Sequence, residues 1–220
     1  STLDRSSAAA DVYKRQVERH LYRIGFDGSG LERITKDNGV HKVGFSPDGK
    51  YYLDSYSNSS TLPSLTLHKN DGTNLQTLAK PRPELLQGLN LQTPKLFTIP
   101  TSDGFPMPAQ ILKPIDFNPG KSYPLIFHIY GGPSAPTVFD QWQGSSLFFD
   151  NMLLDRGYLV VKFDHRSATA ISKKLENRLI MMMSGPIEIV DILDGIHWLK
   201  SQSYICLLYT SPSPRDATLS

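Results

Sequence analysis

Apolar and polar positions alternate in short runs over residues 20–78, and glycine pairs punctuate the runs. LYRIGF (21–26) and LERIT (31–35) flank Asp27-Gly28-Ser29-Gly30. Asp-Gly and Ser-Gly pairs supply the positive φ angles of a tight turn, so a hairpin is predicted there. VHKVGFSPDGKYYLDSYS (40–57) repeats the plan around Pro47-Asp48-Gly49, and SLTLHKNDGTNLQTL (64–78) repeats it around Asp71-Gly72. The first and third units share a pattern and start 44 residues apart, at Leu21 and Leu65. That period suits a four-stranded propeller blade. Hairpins of an ordinary sandwich also fit this stretch.

The pattern changes after residue 78. AKPRPELLQGLNLQTP (79–94) has three prolines and little periodicity, and reads as a linker. KLFTIPTSDGFPMPAQILKP (95–114) predicts a hairpin turning at Asp103-Gly104, with prolines at its margins as an edge strand allows. YPLIFHIY (123–130) and YLVVKFD (158–164) are apolar runs expected of strands buried on both faces. Between them, SSLFFDNMLLDRG (145–157) has helical spacing. Leu147, Phe148, Met152, Leu153 and Leu154 are its candidate buried residues, and Gly157 sits where a C-cap belongs. IEIVDILDGIHWLKS (187–201) predicts a second helix with Ile189, Ile192, Leu193, Ile196 and Leu199 toward the core. Strand, helix, strand, helix implies an α/β sheet.

Composition narrows the function classes. A net charge of +2, with no basic run longer than two residues, leaves no footprint for nucleic acid or an acidic membrane. No apolar stretch is long enough to span a bilayer. Cys206 is the only cysteine, so no intrachain disulfide is possible. No metal spacing, phosphate loop or flavin signature appears, so no cofactor and no metal are expected.

The chemistry has to be sought at FHIYGGPSAP (127–136) and at VVKFDHRSATAISKKLEN (160–177) with GPIEIVDILDGIHWLKSQSYI (185–205). With the order blade, Pro-rich linker, hairpin and α/β start, these segments resemble the prolyl oligopeptidase group of serine peptidases, in its dipeptidyl-peptidase IV branch. The resemblance covers residues 20–205, and the block from Tyr123 to Tyr204 carries its specificity. It implies the end of a β-propeller joined to the N-terminal part of an α/β-hydrolase domain. It also implies a Ser-Asp-His peptidase that removes N-terminal dipeptides from short peptides, and a homodimeric parent. Members are often exported, so a periplasmic or secreted bacterial protein is its weakest implication.

Tyr130 matches the family tyrosine whose hydroxyl helps form the oxyanion hole; a fixed O–H donor there stabilises the developing oxyanion. The nucleophile of this fold sits on a G-x-S-x-G elbow, followed in chain order by the acid and the histidine. No G-x-S-x-G occurs here: Gly44-Phe45-Ser46 runs into Pro47-Asp48. His20, His41, His68, His128, His165 and His197 all precede the position of the missing serine. None therefore takes the role of catalytic base. Acidic residues that hold the substrate amino group in the family belong to an earlier propeller segment, so no residue here is assigned to them. Asp164 and Arg166 are expected to pair and fix a loop. Glu188 and Asp191 are read as acids favoured by a helix N-terminus. Trp142 and Trp198 are expected to pack, Met181–Met183 to be irregular packing or a local reading error, and Lys173-Lys174 a solvated face. A propeller fused to a degenerate hydrolase, serving only recognition, is the alternative.

The ends read differently from the rest. One permitted coding of DVYKRQ (11–16) is GATGTGTATAAGAGACAG; its reverse complement, shifted by one base and completed at its end, encodes CLLYTS (206–211). The inverted repeat resembles the transposase mosaic end of sequencing-library adapters. Residues 1–16 and 206–220 are therefore expected to be adapter-derived, 17–94 partial propeller and linker, and 95–205 hydrolase. On this reading the chain as written lacks the catalytic serine, aspartate and histidine, and is inactive.

Overall fold

The computed structural model describes residues 17–129, 135–168 and 186–206. Tyr130, Lys173-Lys174 and Met181–Met183 lie outside the described residues.

The glycine-punctuated region forms antiparallel β structure. β1 (Tyr22–Arg23) pairs with β2 (Glu32–Arg33) as a short hairpin. β3 (Val40–Phe45), β4 (Tyr51–Ser57), β5 (Ser64–Lys69) and β6 (Asn74–Ala79) form a four-stranded meander in chain order. Alternation along β4 buries Tyr52 and Asp54, while Tyr51 and Leu53 are exposed. Tyr52 packs with Leu21 and Ile34, which fastens the hairpin to the meander.

Two buried histidine–acid pairs lie in this small core. His20 Nε2 is 2.9 Å from Glu18 Oε2, and His41 Nδ1 is 2.7 Å from Asp54 Oδ2. The two imidazoles face each other at 5.3 Å, and His41 stacks on Tyr56 at 4.7 Å. Burial holds the His20 imidazole below its ordinary value; Glu18 opposes the shift, and Arg33 and His41 reinforce it.

Residues 80–94 hold only a 3-10 turn at Pro83–Leu86. A mixed sheet then follows, in the order β11-β9-β10-β8-β7. β7 (Lys95–Pro100) and β8 (Pro106–Leu112) form the hairpin, with β7 at the sheet's edge. β9 (Tyr123–His128) runs parallel to β10 (Leu159–Phe163) and to β11 (Ile205–Cys206), and β10 runs antiparallel to β8. α1 (Ser145–Asp155) and α2 (Pro186–Lys200) cover opposite faces. Alternation along the strands sends Val160 and Leu112 to Leu147, Leu153 and Leu154 of α1. Met107, Ala109, Ile111, Val161 and Phe163 face Leu199 of α2. Gly157, at φ +83°, ends α1 in the left-handed conformation expected there.

Three burial patterns differ from expectation. β10 is buried on both faces, but β9 after Tyr123 is only half-buried, because its outer neighbour β11 spans only two residues. On α1, Phe148 and Met152 are exposed, whereas Asp150 and Asn151 are buried. On α2, Ile189 and Leu193 are exposed, and Ile192 and Ile196 are half-buried; Glu188, Asp191, Gly195 and Leu199 face the sheet. The reason on α2 is contact distance. Gly195 lies directly against the Phe163 ring, so a side chain there has no room.

Two predictions follow from this packing. Gly195→Ala pushes a methyl into the Phe163 ring and costs about 1–3 kcal/mol, read from the urea midpoint. His20 takes up a proton less readily in the folded chain than in the unfolded one. Its contribution is therefore complete above its ordinary value of 6.5 and is lost as pH falls through the folded value. Stability measured from about pH 7.5 down to pH 5 should fall, and His20→Gln should flatten the fall. Identical slopes in the two chains would refute the assignment.

Candidate functional site at the carboxyl edge of the sheet

The parallel strands β9 and β10 end side by side, after His128 and Phe163. Ligand sites of open α/β sheets lie beyond the carboxyl ends of such strands. A cleft of about 540 Å³ opens there, lined by His128, Ile129, Thr137, Phe149, Asp150 and Lys162, among others. Its floor is polar because period-two alternation places His128 of β9 and Lys162 of β10 on the α1 face. Asp150 reaches that face from α1, about one turn from both Leu147 and Leu154. Lys162 Nζ donates to Asp150 Oδ2 at 3.0 Å and to Gln143 Oε1 at 3.0 Å. Gln143 Nε2 donates in turn to Gln110 Oε1 of β8 at 2.9 Å. His128 Nε2 stands 3.3 Å from Asp150 Oδ1. Asp150 and Lys162 are largely withdrawn from water, so each depends on the other for charge compensation. Isolated charges in apolar-looking elements were the available signal for this group, and reading the histidines only as candidate bases missed it.

The loop after β10 holds the edge together through two separate attachments. The Asp164 carboxylate accepts the Thr137 N–H at 2.9 Å, the Thr137 hydroxyl at 2.7 Å and the Val138 N–H at 2.9 Å. Burial raises the Asp164 carboxyl above its ordinary value, and these donors oppose the rise. Arg166 instead forks onto two other acids. Its Nε and Nη2 donate to Asp191 of α2 at 2.7–3.1 Å, and Nη1 and Nη2 donate to Asp103 at 2.7 and 2.8 Å. The Arg166 backbone N–H also donates to Asp191 Oδ2, at 2.9 Å. The expected Asp164–Arg166 pairing is thus corrected: a planar guanidinium with five donors matches two carboxylates in a fork, and Asp164 faces the Thr137 hydroxyl and the Thr137 and Val138 backbone donors. Arg166, followed by Thr101, holds the Asp103 carboxyl well below the carboxylate range, and Asp103 and Asp191 push the Arg166 guanidinium upward.

Asp191 is therefore not merely an acid at a helix start; it is fully buried and tied to Arg166, and Glu188 is buried beside it. Trp142 and Trp198 pack as expected, against the α1 and α2 clusters respectively, and Trp198 lies 5.2 Å from Phe97. The other histidines are dispersed. His68 stacks on Tyr52 in the meander, His165 is fully buried after β10, and His197 is exposed on α2. Among the described residues no cluster of three His, Cys, Asp or Glu side chains has the arrangement to hold a metal ion.

Comparison with known proteins assigns the class. The family model for the dipeptidyl peptidase IV N-terminal region matches residues 10–63. The crystal structure of Porphyromonas gingivalis dipeptidyl peptidase 4 superposes with a TM-score of 0.78 at 23% identity, covering 87% of this chain and 27% of that one. The fold is thus the end of a β-propeller joined to the N-terminal part of an α/β-hydrolase domain. Human dipeptidyl peptidase 8 is 29% identical over 200 residues, 84% of this chain and 22% of the relative. A probable dipeptidyl-aminopeptidase B of Emericella nidulans is 33% identical over 164 residues, 71% of this chain and 18% of the relative. The chain is similar to dipeptidyl-peptidase IV-like members of the prolyl oligopeptidase family. It spans about a fifth of the length of these curated relatives.

The two acids on Arg166 differ in exposure, which makes a testable contrast. Asp191 is fully buried, whereas the Asp103 side chain is 57% exposed. Arg166→Met strands a buried carboxylate and should cost about 3–5 kcal/mol. Asp103→Ala removes a solvated partner and should cost about 1 kcal/mol or less. Chemical denaturation of the two variants should separate them clearly; equal losses would show that the buried fork is not the dominant contact.

Proposed function

We propose that this chain is the propeller–hydrolase junction of a serine-type peptidase that removes N-terminal dipeptides from short peptides. In this reading residues 17–94 are propeller and linker and residues 95–205 begin the hydrolase domain. Residues 1–16 and 206–220 are adapter-derived. The parent enzyme acts as a homodimer. The observation that carries the proposal is the convergence of β9 and β10 on one cleft, with β9 ending at His128, two residues before Tyr130 in the sequence. Tyr130 is the oxyanion donor of the parent enzyme: its hydroxyl hydrogen-bonds the carbonyl oxygen as that oxygen gains charge in the tetrahedral intermediate. Nucleophile, acid and base come from sequence beyond Ile205. The relatives' names, dipeptidyl peptidase and dipeptidyl-aminopeptidase, support the same reaction class.

The uninterrupted gene tests the proposal. Its reading frame should continue past Ile205 into a strand and a G-x-S-x-G elbow. Its product should release Gly-Pro from a chromogenic substrate, and Tyr130→Phe should lower kcat by about 10²–10³ with a smaller change in KM. The 220-residue chain alone should show no inhibitor-sensitive turnover. An intact fold with glycine or alanine at the nucleophile position would replace the enzyme reading with a recognition module.

A further inference from the structure

The segment Thr137–Gln143 connects the cleft to the propeller side, and specific hydrogen bonds and a ring contact anchor it along its length. At its start, Thr137 and Val138 are held by Asp164, and Val138 is fully buried. In its middle the attachments change sides. The Phe139 ring lies under the Arg19 guanidinium at 5.0 Å. The Asp140 N–H donates to the Val17 carbonyl at 2.8 Å, and the Asp140 Oδ1 accepts the Ser59 N–H at 2.8 Å. The Trp142 N–H donates to Ser57 Oγ at 3.3 Å. At its end, Gln143 joins Gln110 and Lys162 on the cleft floor. Gly144, at φ +55°, then turns the chain into α1.

Asp140 is the residue that makes the joint. It grips two strands of chain on the propeller side, one before β1 and one after β4, through its own backbone and side chain. Three residues away, Thr137 lines the cleft. A seven-residue path clamped at both ends cannot shift at one end without moving the other, because its backbone has few unanchored dihedrals. We propose that Thr137–Gln143 is a strap through which the propeller sets the position of the cleft wall, and that Asp140 is its positioning residue. The proposal rests on the cleft being the substrate site of the peptidase.

The test uses the intact gene product with Asp140→Ala and Asp140→Asn. Asparagine keeps an oxygen acceptor for the Ser59 N–H, whereas alanine removes it. Asp140→Ala should lower kcat for Gly-Pro release by roughly 10-fold with a smaller change in KM. It should also speed amide exchange at Thr137 and Val138, although their partner Asp164 is untouched. Asp140→Asn should restore both toward wild type, which a general loss of folding would not do. If Asp140→Ala does not fold, Ser57→Ala carries the same test with a loss of about 3-fold, since it removes only the acceptor for Trp142. Unchanged exchange at Thr137 and Val138 in the folded variant overturns the strap, whatever the activity. Absence of release by the wild-type product overturns the peptidase reading instead, and the exchange measurement then decides the strap independently.

Discussion

The carboxyl edge of the hydrolase sheet depends on one guanidinium. Arg166 sits in the loop after the central strand β10, and its fork draws in the hairpin turn at Asp103 and the helix α2 at Asp191. These groups come from three separate stretches of chain. Charge makes the arrangement exacting: a fully buried Asp191 carboxylate needs a cation with matching geometry, and among the described residues Arg166 supplies it with several donors at once. With Arg166 fixed, the neighbouring Asp164 is also fixed, and its carboxylate is aimed at Thr137 and Val138.

The cleft inherits its shape from those two residues. One wall is the Thr137 segment, the floor is the Asp150–Lys162 pair, and the mouth lies at the end of β9. The floor is polar in a place where α1 and the sheet otherwise pack aliphatic side chains such as Leu147, Leu154 and Val160. Burying a paired lysine and aspartate there is not an efficient source of stability. It orients α1 against β10 through hydrogen bonds with defined directions, which aliphatic contacts do not have. The propeller side is built on a related device, two histidine–acid pairs within a small aromatic core. Charge and hydrogen bonding thus define the geometry on both sides of the junction, and apolar burial supplies the bulk.

Much of the architecture was legible from local pattern. Asp-Gly turns marked the hairpins, the Leu21-to-Leu65 period suggested a blade, and the apolar run at Leu159–Phe163 proved to be a doubly covered strand. The positions of both helices followed from spacing. Their buried faces did not. The stripe Ile189–Ile192–Leu193–Ile196–Leu199 predicted one orientation of α2, but Leu199 alone of the five is fully buried. Gly195 and Asp191 mark the true face. A glycine reads as a weak helix residue until a ring is found against it, and an aspartate reads as solvated until its arginine is found. On α1 the same error exposed Phe148 and Met152 and hid Asp150.

The sequence by itself determined the order of elements, the turns and the family resemblance, because these depend on residues close together in the chain: glycines with positive φ, alternating strands, and the block around Tyr130. Only the tertiary structure decided the partners of the charged groups. Asp164 turned out to hold Thr137 and not Arg166, Arg166 to hold Asp103 and Asp191, and Asp140 to bridge Val17 and Ser59. The side chains in those contacts are separated from their partners by 25 residues for Arg166 and Asp191 up to 81 for Asp140 and Ser59, and no local rule encodes them. A carboxylate's partner is set by which donors the fold brings within about 3 Å, and that depends on the packing of whole elements, not on the neighbours in the chain.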